Sequence, residues 1–380
     1  MAQSDSGNIV WSAIQETPAN VETLRLLCHG RAQLKDQSYV RDPLSAEQIE
    51  AKMRCVNCRA RVKHHHHRNK PPSTPKPLST KTHRNERIEG GQGLTQENQS
   101  STKPGEVDPE SSTTKPATPK PRCVYHPGQV RYKAFTCCGK HVSQPGCVTQ
   151  QEHTRPPTNE LVHRQYWQHY PTPGLDQILT PRSRNRRGQH GMQPYSIHRL
   201  NPATAIALDC EMGVSVAGES ELIRLTAVDF FTGDILVDNL VQPQVPMLHY
   251  NTRYSGVTRG DIQHAIRQGT CIFGKDRARE LLWRYVGPET IVVVHGGRGD
   301  FSELRWIHEH VVDSFILESM TGTEIKGGKS LKNLCKVKLG IDVQRKGRKG
   351  HDSLEDAMAC RELVIDRMEK MVETKPLAVQ

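Results

Sequence analysis

One segment constrains this chain more than any other: Ala203–Met212 has the apolar density of a buried strand, yet it carries two acids, Asp209 and Glu211. Strand side chains alternate between faces, so Asp209 and Glu211 share one face while Leu208, Cys210 and Met212 take the other. Two carboxylates on one face of an interior strand lose hydration and repel each other, and something must compensate them. A divalent cation is the simplest compensation. The competing reading, a solvated acidic face on an edge strand, sits badly with the run Ala205-Ile-Ala-Leu208.

The pattern downstream extends this strand into a domain. Strands are expected at Leu222–Phe230 and Asp234–Leu240, joined by a turn at Thr232-Gly233. Helices are expected near 259–268 and 275–286, then a buried strand at Ile291–Val294. A helix over Asp300–His310, a strand over Val311–Ile316, and helices near 330–338 and 353–370 follow. Three antiparallel strands followed by alternating helices and strands predict an α/β domain with a mixed sheet and flanking helices over residues 201–370. That length is ample for one core.

Two further acids stand where the chain enters a helix. Asp300 ends the Gly-rich turn His295-Gly-Gly-Arg-Gly-Asp300, and alone it reads as an N-cap. Asp356 falls in a first turn after Gly350-His351-Asp352-Ser353, and alone it belongs to an ordinary capping box. Their order after the paired acids gives them weight.

The first 200 residues have a different texture. The chain has 380 residues and a net charge of +11, but residues 201–380 carry −2 and residues 1–200 carry +13. Such a basic half suits a polyanionic partner, or a solvated, disordered region. Residues 1–67 read as a helical segment ending in Cys55-Val-Asn-Cys58. Residues 68–122 read as a disordered Pro/Ser/Thr/Lys linker, 123–155 as a Cys/His module, and 156–200 as a basic linker. Ile291–Val294 is far too short to span a membrane, and the N-terminus lacks a basic-then-apolar leader. The protein is therefore expected to be soluble and intracellular, with thiols or metal ligands rather than disulfides. Cys28, Cys210, Cys271, Cys335 and Cys360 read as small core residues.

Asp209-Cys-Glu-Met212, the later Asp300 and Gly350-His-Asp-Ser-Leu-Glu-Asp-Ala357 together resemble the three motifs of the DEDDh exonuclease superfamily. Tyr250-Asn-Thr-Arg-Tyr-Ser-Gly-Val-Thr258, Val311-Val-Asp-Ser314 and Ser330-Leu-Lys-Asn-Leu334 are similar to its eukaryotic RNA exonuclease branch. The resemblance implies a ribonuclease-H-like fold and 3′→5′ hydrolysis of single-stranded RNA to nucleoside 5′-monophosphates. It implies two Mg²⁺ or Mn²⁺ ions, about 4 Å apart in such sites. Asp209 would bridge them, Glu211 and Asp356 would hold one, Asp300 the second through water, and His351 would take the water's proton. Met212, Gly213, Asn251, Arg253 and Ser255 are candidate substrate contacts. Arg345, Lys346 and Arg348 read equally as phosphate contacts or as a solvated loop. Two departures from the family stand out: the glycine-rich turn before Asp300, and His249 where an Asp commonly precedes the Tyr-Asn-Thr segment.

Cys123-Val-Tyr-His126, Cys137-Cys138, Cys147 and His153 resemble part of a CHORD-like zinc pattern. One structural Zn²⁺ is expected on Cys55, Cys58, Cys123 and His126. A second is expected on Cys137 or Cys138 with Cys147 and His153. The module would recruit RNA or a protein partner. A DNA exonuclease on the same fold, or an inactive RNA-binding scaffold, are the alternatives. Arg182–Arg187 suggests the nucleus, with the cytoplasm as the other location. The segment from about 200 to 370 is expected to cut RNA by itself while binding it weakly.

Overall fold

The computed structural model describes residues 9–62, 123–156, 160–174, 202–322, 324–344 and 350–373. The 68–122 linker, Arg182–Arg187, and the loop residues Arg345, Lys346 and Arg348 lie outside them. The described residues fall into two units, one of residues 9–62 with everything from Thr154 onward, the other ending at His153. No described helix is long and apolar enough to cross a membrane.

The larger unit is a mixed α/β structure built on a seven-stranded sheet. Its strands are β1 (Ala205–Ser215), β2 (Ser220–Asp229), β3 (Ile235–Gln242), β4 (Met247–His249), β5 (Ile272–Phe273), β6 (Ile291–Val294) and β7 (Val311–Asp313). The order is β5-β3-β2-β1-β6-β7, with β4 paired to the far end of β1. β1, β2 and β3 form the antiparallel meander, while β6 runs parallel to both β1 and β7. Gly233, at φ +78°, makes the turn between β2 and β3.

The alternation along β1 sorts its residues onto two cores. Ala205 and Ala207 pack with Val293 and with Leu363 and Val364 of the long helix Ser353–Glu373. Ile206, Leu208 and Cys210 pack on the opposite face with Val292, Phe301 and Trp306, where Met212 joins them. Asp209 thus continues the face that looks toward the long helix.

Three expected elements end early, one of them the helix expected near 275–286, which stops at Leu282. The helix after the Gly-rich turn spans only Arg298–Glu303, because Arg305 takes φ +51° and the chain leaves for a short strand at Trp306–Ile307. The strand at 311 stops at Asp313, whose carboxylate accepts the Phe315 N–H and starts the helix Ser314–Met320.

The larger departure is in the domain boundaries. Residues 9–62 are not a separate segment: Leu24 and Leu27 enter the core under the long helix, while Leu34 and Tyr39 enter the core on the other face. Arg361 donates to the Ser12 carbonyl, and Arg41 to the His308 carbonyl and the Glu309 carboxylate. Within the expected basic linker, helix Glu160–Trp167 and strand Tyr170–Pro171 also join this unit. The strand pairs with Trp306–Ile307, and the Arg305 guanidinium sits 4.5 Å from the Trp167 ring.

Candidate active site

The sheet brings the four predicted acids to one place from three elements. Asp209 lies opposite Thr226 of β2 and Glu211 opposite Arg224, with a register shift just beyond Glu211. Asp300 stands in the first turn of Arg298–Glu303 and Asp356 in the first turn of the long helix. That helix is pinned to β2 by a 2.6 Å hydrogen bond between the Ser353 and Thr226 hydroxyls.

The glycine-rich turn before Asp300 is what this backbone demands. Gly296 has φ +64°, and a Cβ on Gly297 would lie 2.5 Å from a Val294 methyl. Gly350, next to His351, is equally constrained. It has φ +83°, and a Cβ there would sit 2.1 Å from the Gly256 nitrogen. The His351 N–H then donates to the Tyr254 carbonyl at 2.5 Å.

Ligand atoms of Glu211, His351 and Asp356 all lie within 4.8 Å of one another. His351 Nδ1 is 3.5 Å from an Asp356 oxygen, and its side chain is 43% exposed, so the imidazole is reachable from solvent. Glu211, Asp300 and Asp356 are buried. Desolvation, then the charges of Asp300, Asp356 and Glu211, hold the Asp209 carboxyl well above the usual range. Burial, with Asp356 next, pushes Glu211 up to about 8; burial, with Asp313 next, pushes Asp300 to about 8. Asp356 rises to about 6 through burial, opposed by hydrogen bonds from Gln344 and the neighbouring His351. These groups destabilise one another's charge, and a cation would relieve all of them.

Sequence patterning missed two residues here. Gln344 donates its amide to both Asp356 oxygens at 3.0 Å and lies 3.4 Å from His351 Nδ1. It does so from φ +51°, an unfavourable backbone held by Glu355 and Lys332. In the sequence it is an unmarked loop residue. Arg224 pairs with Asp238 at 2.9 Å and Asp352 at 3.0 Å, and it partly offsets the upward push on Glu211. A lone cation within an apolar strand was the available signal.

The candidate substrate contacts divide. Met212 stays partly buried beside the site, and Gly213 packs close to the backbone at the end of β4, where a Cβ would lie 3.0 Å from the His249 carbonyl oxygen. Asn251, at φ +52°, donates to the Met212 carbonyl at 3.1 Å and ties its turn to β1. Ser255 is buried at the edge of the neighbouring cavity, and its hydroxyl donates to the Tyr250 carbonyl and accepts the Val257 N–H, so it also shapes the turn. Arg253 is exposed, its guanidinium 5.8 Å from the Tyr254 ring. Beside them a cavity of about 580 Å³ is lined by Arg224, Asp238, Gly256, His351 and Asp352 among others.

The cysteine sets assort differently from expectation. In the smaller unit, His126 gathers with Cys137, Cys138 and Cys147, all ligand atoms within 4.8 Å. His126 Nδ1 lies 3.4 Å from the Cys138 sulfur, and the ring stacks on Phe135 at 3.8 Å. Thus His126 is not Cys123's partner, and His153 is not Cys147's. The cause is the antiparallel pairing of Cys123–Tyr125 with Val148–Gln150, which sets Tyr125 opposite Val148 and Cys123 opposite Gln150. Cys147 therefore falls beside His126, while Cys123 and His153 come within 4.8 Å of each other. In the larger unit, Cys55 and Cys58 are likewise within 4.8 Å.

No family model matches the chain. It is similar to curated exonucleases. An RNA exonuclease 3 of Emericella nidulans is 30% identical over 278 residues, covering 64% of this chain and 40% of that protein. One of Eremothecium gossypii is 31% identical over 255 residues, covering 64% and 57%. Exonuclease GOR of Pan troglodytes is 28% identical over 263 residues, covering 67% and 33%. The chain thus spans about half or less of the length of these relatives. A solved structure of the Neurospora crassa Pan2 catalytic unit is 21% identical, covers 49% of this chain and 32% of its own, and has a TM-score of 0.38.

Proposed function

We propose that this protein is a metal-dependent 3′→5′ exoribonuclease that releases nucleoside 5′-monophosphates from single-stranded RNA. One observation carries the reading: Asp209, Glu211, Asp300 and Asp356 crowd together, three of them with carboxyls raised to about 6–8, beside a solvent-reachable His351. The donor set fits hard divalent cations such as Mg²⁺ or Mn²⁺, and those four acids would hold them. Bound there, such an ion lowers the pKa of water and stabilises charge on phosphoryl oxygens. The chain's own part is to hold the acids on rigid elements, to fix Asp356 through Gln344, and to accept the water's proton at His351. The preference for RNA draws support from the names of the relatives.

Purified full-length chain with Mg²⁺ and 5′-labelled single-stranded RNA or DNA tests this. The expected product is a ladder shortening from the RNA 3′ end, with His351→Ala slowed by about 10²–10⁴-fold, the usual worth of a general base. Faster digestion of DNA would favour the DNA exonuclease. No shortening of either substrate would leave the inactive scaffold.

We also propose that His126, Cys137, Cys138 and Cys147 hold one structural Zn²⁺, four ligands being the number that closes such a site. Elemental analysis should find Zn²⁺ in the full chain, and Cys138→Ser should lower it by one equivalent. Unchanged zinc content would remove this assignment.

A further inference from the structure

We infer that Tyr39, from the N-terminal segment, is a positioning residue for Asp300, acting through the buried carboxylate of Asp313; the inference rests on the exonuclease reading above. The path is short and continuous. The Tyr39 hydroxyl donates to Asp313 Oδ2 at 2.6 Å. The other oxygen, Oδ1, accepts the Gly296 N–H at 2.7 Å and the Phe315 N–H at 3.0 Å. Gly296 opens the turn that delivers Asp300 four residues later. On its ring side, Tyr39 meets Phe301, the residue after Asp300, edge to face at 5.5 Å.

The segment that carries Tyr39 is anchored to the same strand. The His29 N–H donates to the Val311 carbonyl at 2.9 Å, and His29 Nε2 lies 3.1 Å from the Asp313 carbonyl. Tyr39 and Asp313 are almost fully buried. A buried carboxylate oxygen without a donor is costly, so each oxygen of Asp313 needs its partners. Tyr39 occupies Oδ2 and thereby leaves Oδ1 directed at Gly296. Without the phenol, the carboxylate is free to turn and share its donors, and the Gly296 turn loosens. Gly296 and Gly297 add to that freedom, since glycine restricts a turn least. The Asp300 carboxylate then wanders from the position set by β1 and the long helix.

Tyr39→Phe removes only the hydroxyl and keeps the ring on Phe301. Mn²⁺ binding followed by electron paramagnetic resonance should weaken about tenfold, the scale on which partners of a metal ligand act. Amide exchange at Gly296 should speed up, kcat at saturating metal should change by less than about threefold, and the half-saturating metal concentration should rise. Asp313→Asn should also speed Gly296 exchange, and the double variant should add little to either single one, as coupled residues do. Unchanged Mn²⁺ affinity and Gly296 exchange in Tyr39→Phe would overturn the inference, as would full additivity. If the wild-type chain bound no Mn²⁺, the exonuclease reading would fail, while Gly296 exchange would still decide whether Tyr39 holds this turn.

Discussion

Asp209→Asn will abolish RNA cleavage and, in the same protein, raise the melting temperature measured in EDTA. The loss, of about 10³-fold or more, follows from removing a carboxylate from the set that would hold the ion. The gain follows from the repulsion that the folded chain carries without one. Asp209 sits among Asp300, Asp356 and Glu211, each of which raises its carboxyl further. Relief of even 1–2 kcal/mol corresponds to roughly 2–8 °C in a unit of this size. With Mg²⁺ present the order of stabilities should reverse, because only the wild type gains fully from binding.

The pH dependence has a definite sign. Glu211 and Asp300 at about 8 and Asp356 at about 6 lie above the ordinary carboxyl range of the unfolded chain, so folding tightens their hold on protons. The stability they contribute is complete below about pH 4 and is lost as pH rises towards 8. In EDTA, the wild-type melting temperature should therefore fall across that window, and that of Asp209→Asn should fall less. Metal binding at pH 7 should release protons, seen as a buffer-dependent heat in calorimetry. A flat profile, or an Asn variant that melts lower in EDTA, would contradict this electrostatic account.

A chain reduced to residues 201–373 will not fold cooperatively, although it retains all four acids and His351. The N-terminal segment fills both cores. Leu24 and Leu34 are fully buried on opposite faces of the sheet, and Tyr39 and Leu27 are nearly so. Each buried Leu truncated to Ala costs about 2–5 kcal/mol, and removing the whole segment exceeds the 5–15 kcal/mol that holds a domain together. Circular dichroism should show no sharp thermal transition, and RNA cleavage should be absent. A two-state melt within a few degrees of the full chain would show that the segment is an accessory. This replaces the expectation that the catalytic half works alone.

Local chemistry was the legible part of this chain. Alternation along Ala205–Met212 put Asp209 and Glu211 on one face, and strand, turn and helix signals placed Asp300, His351 and Asp356 near their elements. What stayed hidden depends on contacts distant in sequence. Nothing local to Leu24 or Leu34 says which sheet face each will cover. Arg305 at φ +51° cut short a helix that its neighbours favour. The partners of His126 followed from one strand pairing, Tyr125 with Val148, which cysteine spacing alone does not encode. Gln344 carries no motif, and its importance comes from facing Asp356.

The contact of Gly350 with Gly256 has a mechanical consequence. Main chain meets main chain there with no side chain between, and the His351 N–H is bonded to Tyr254 on the same turn. That turn begins at Asn251, whose amide grips the strand end at Met212. His351, the 251–256 turn and the end of β1 are therefore coupled through main-chain atoms and the Asn251 amide. On the exonuclease reading proposed above, any shift of this turn would also shift the His351 imidazole.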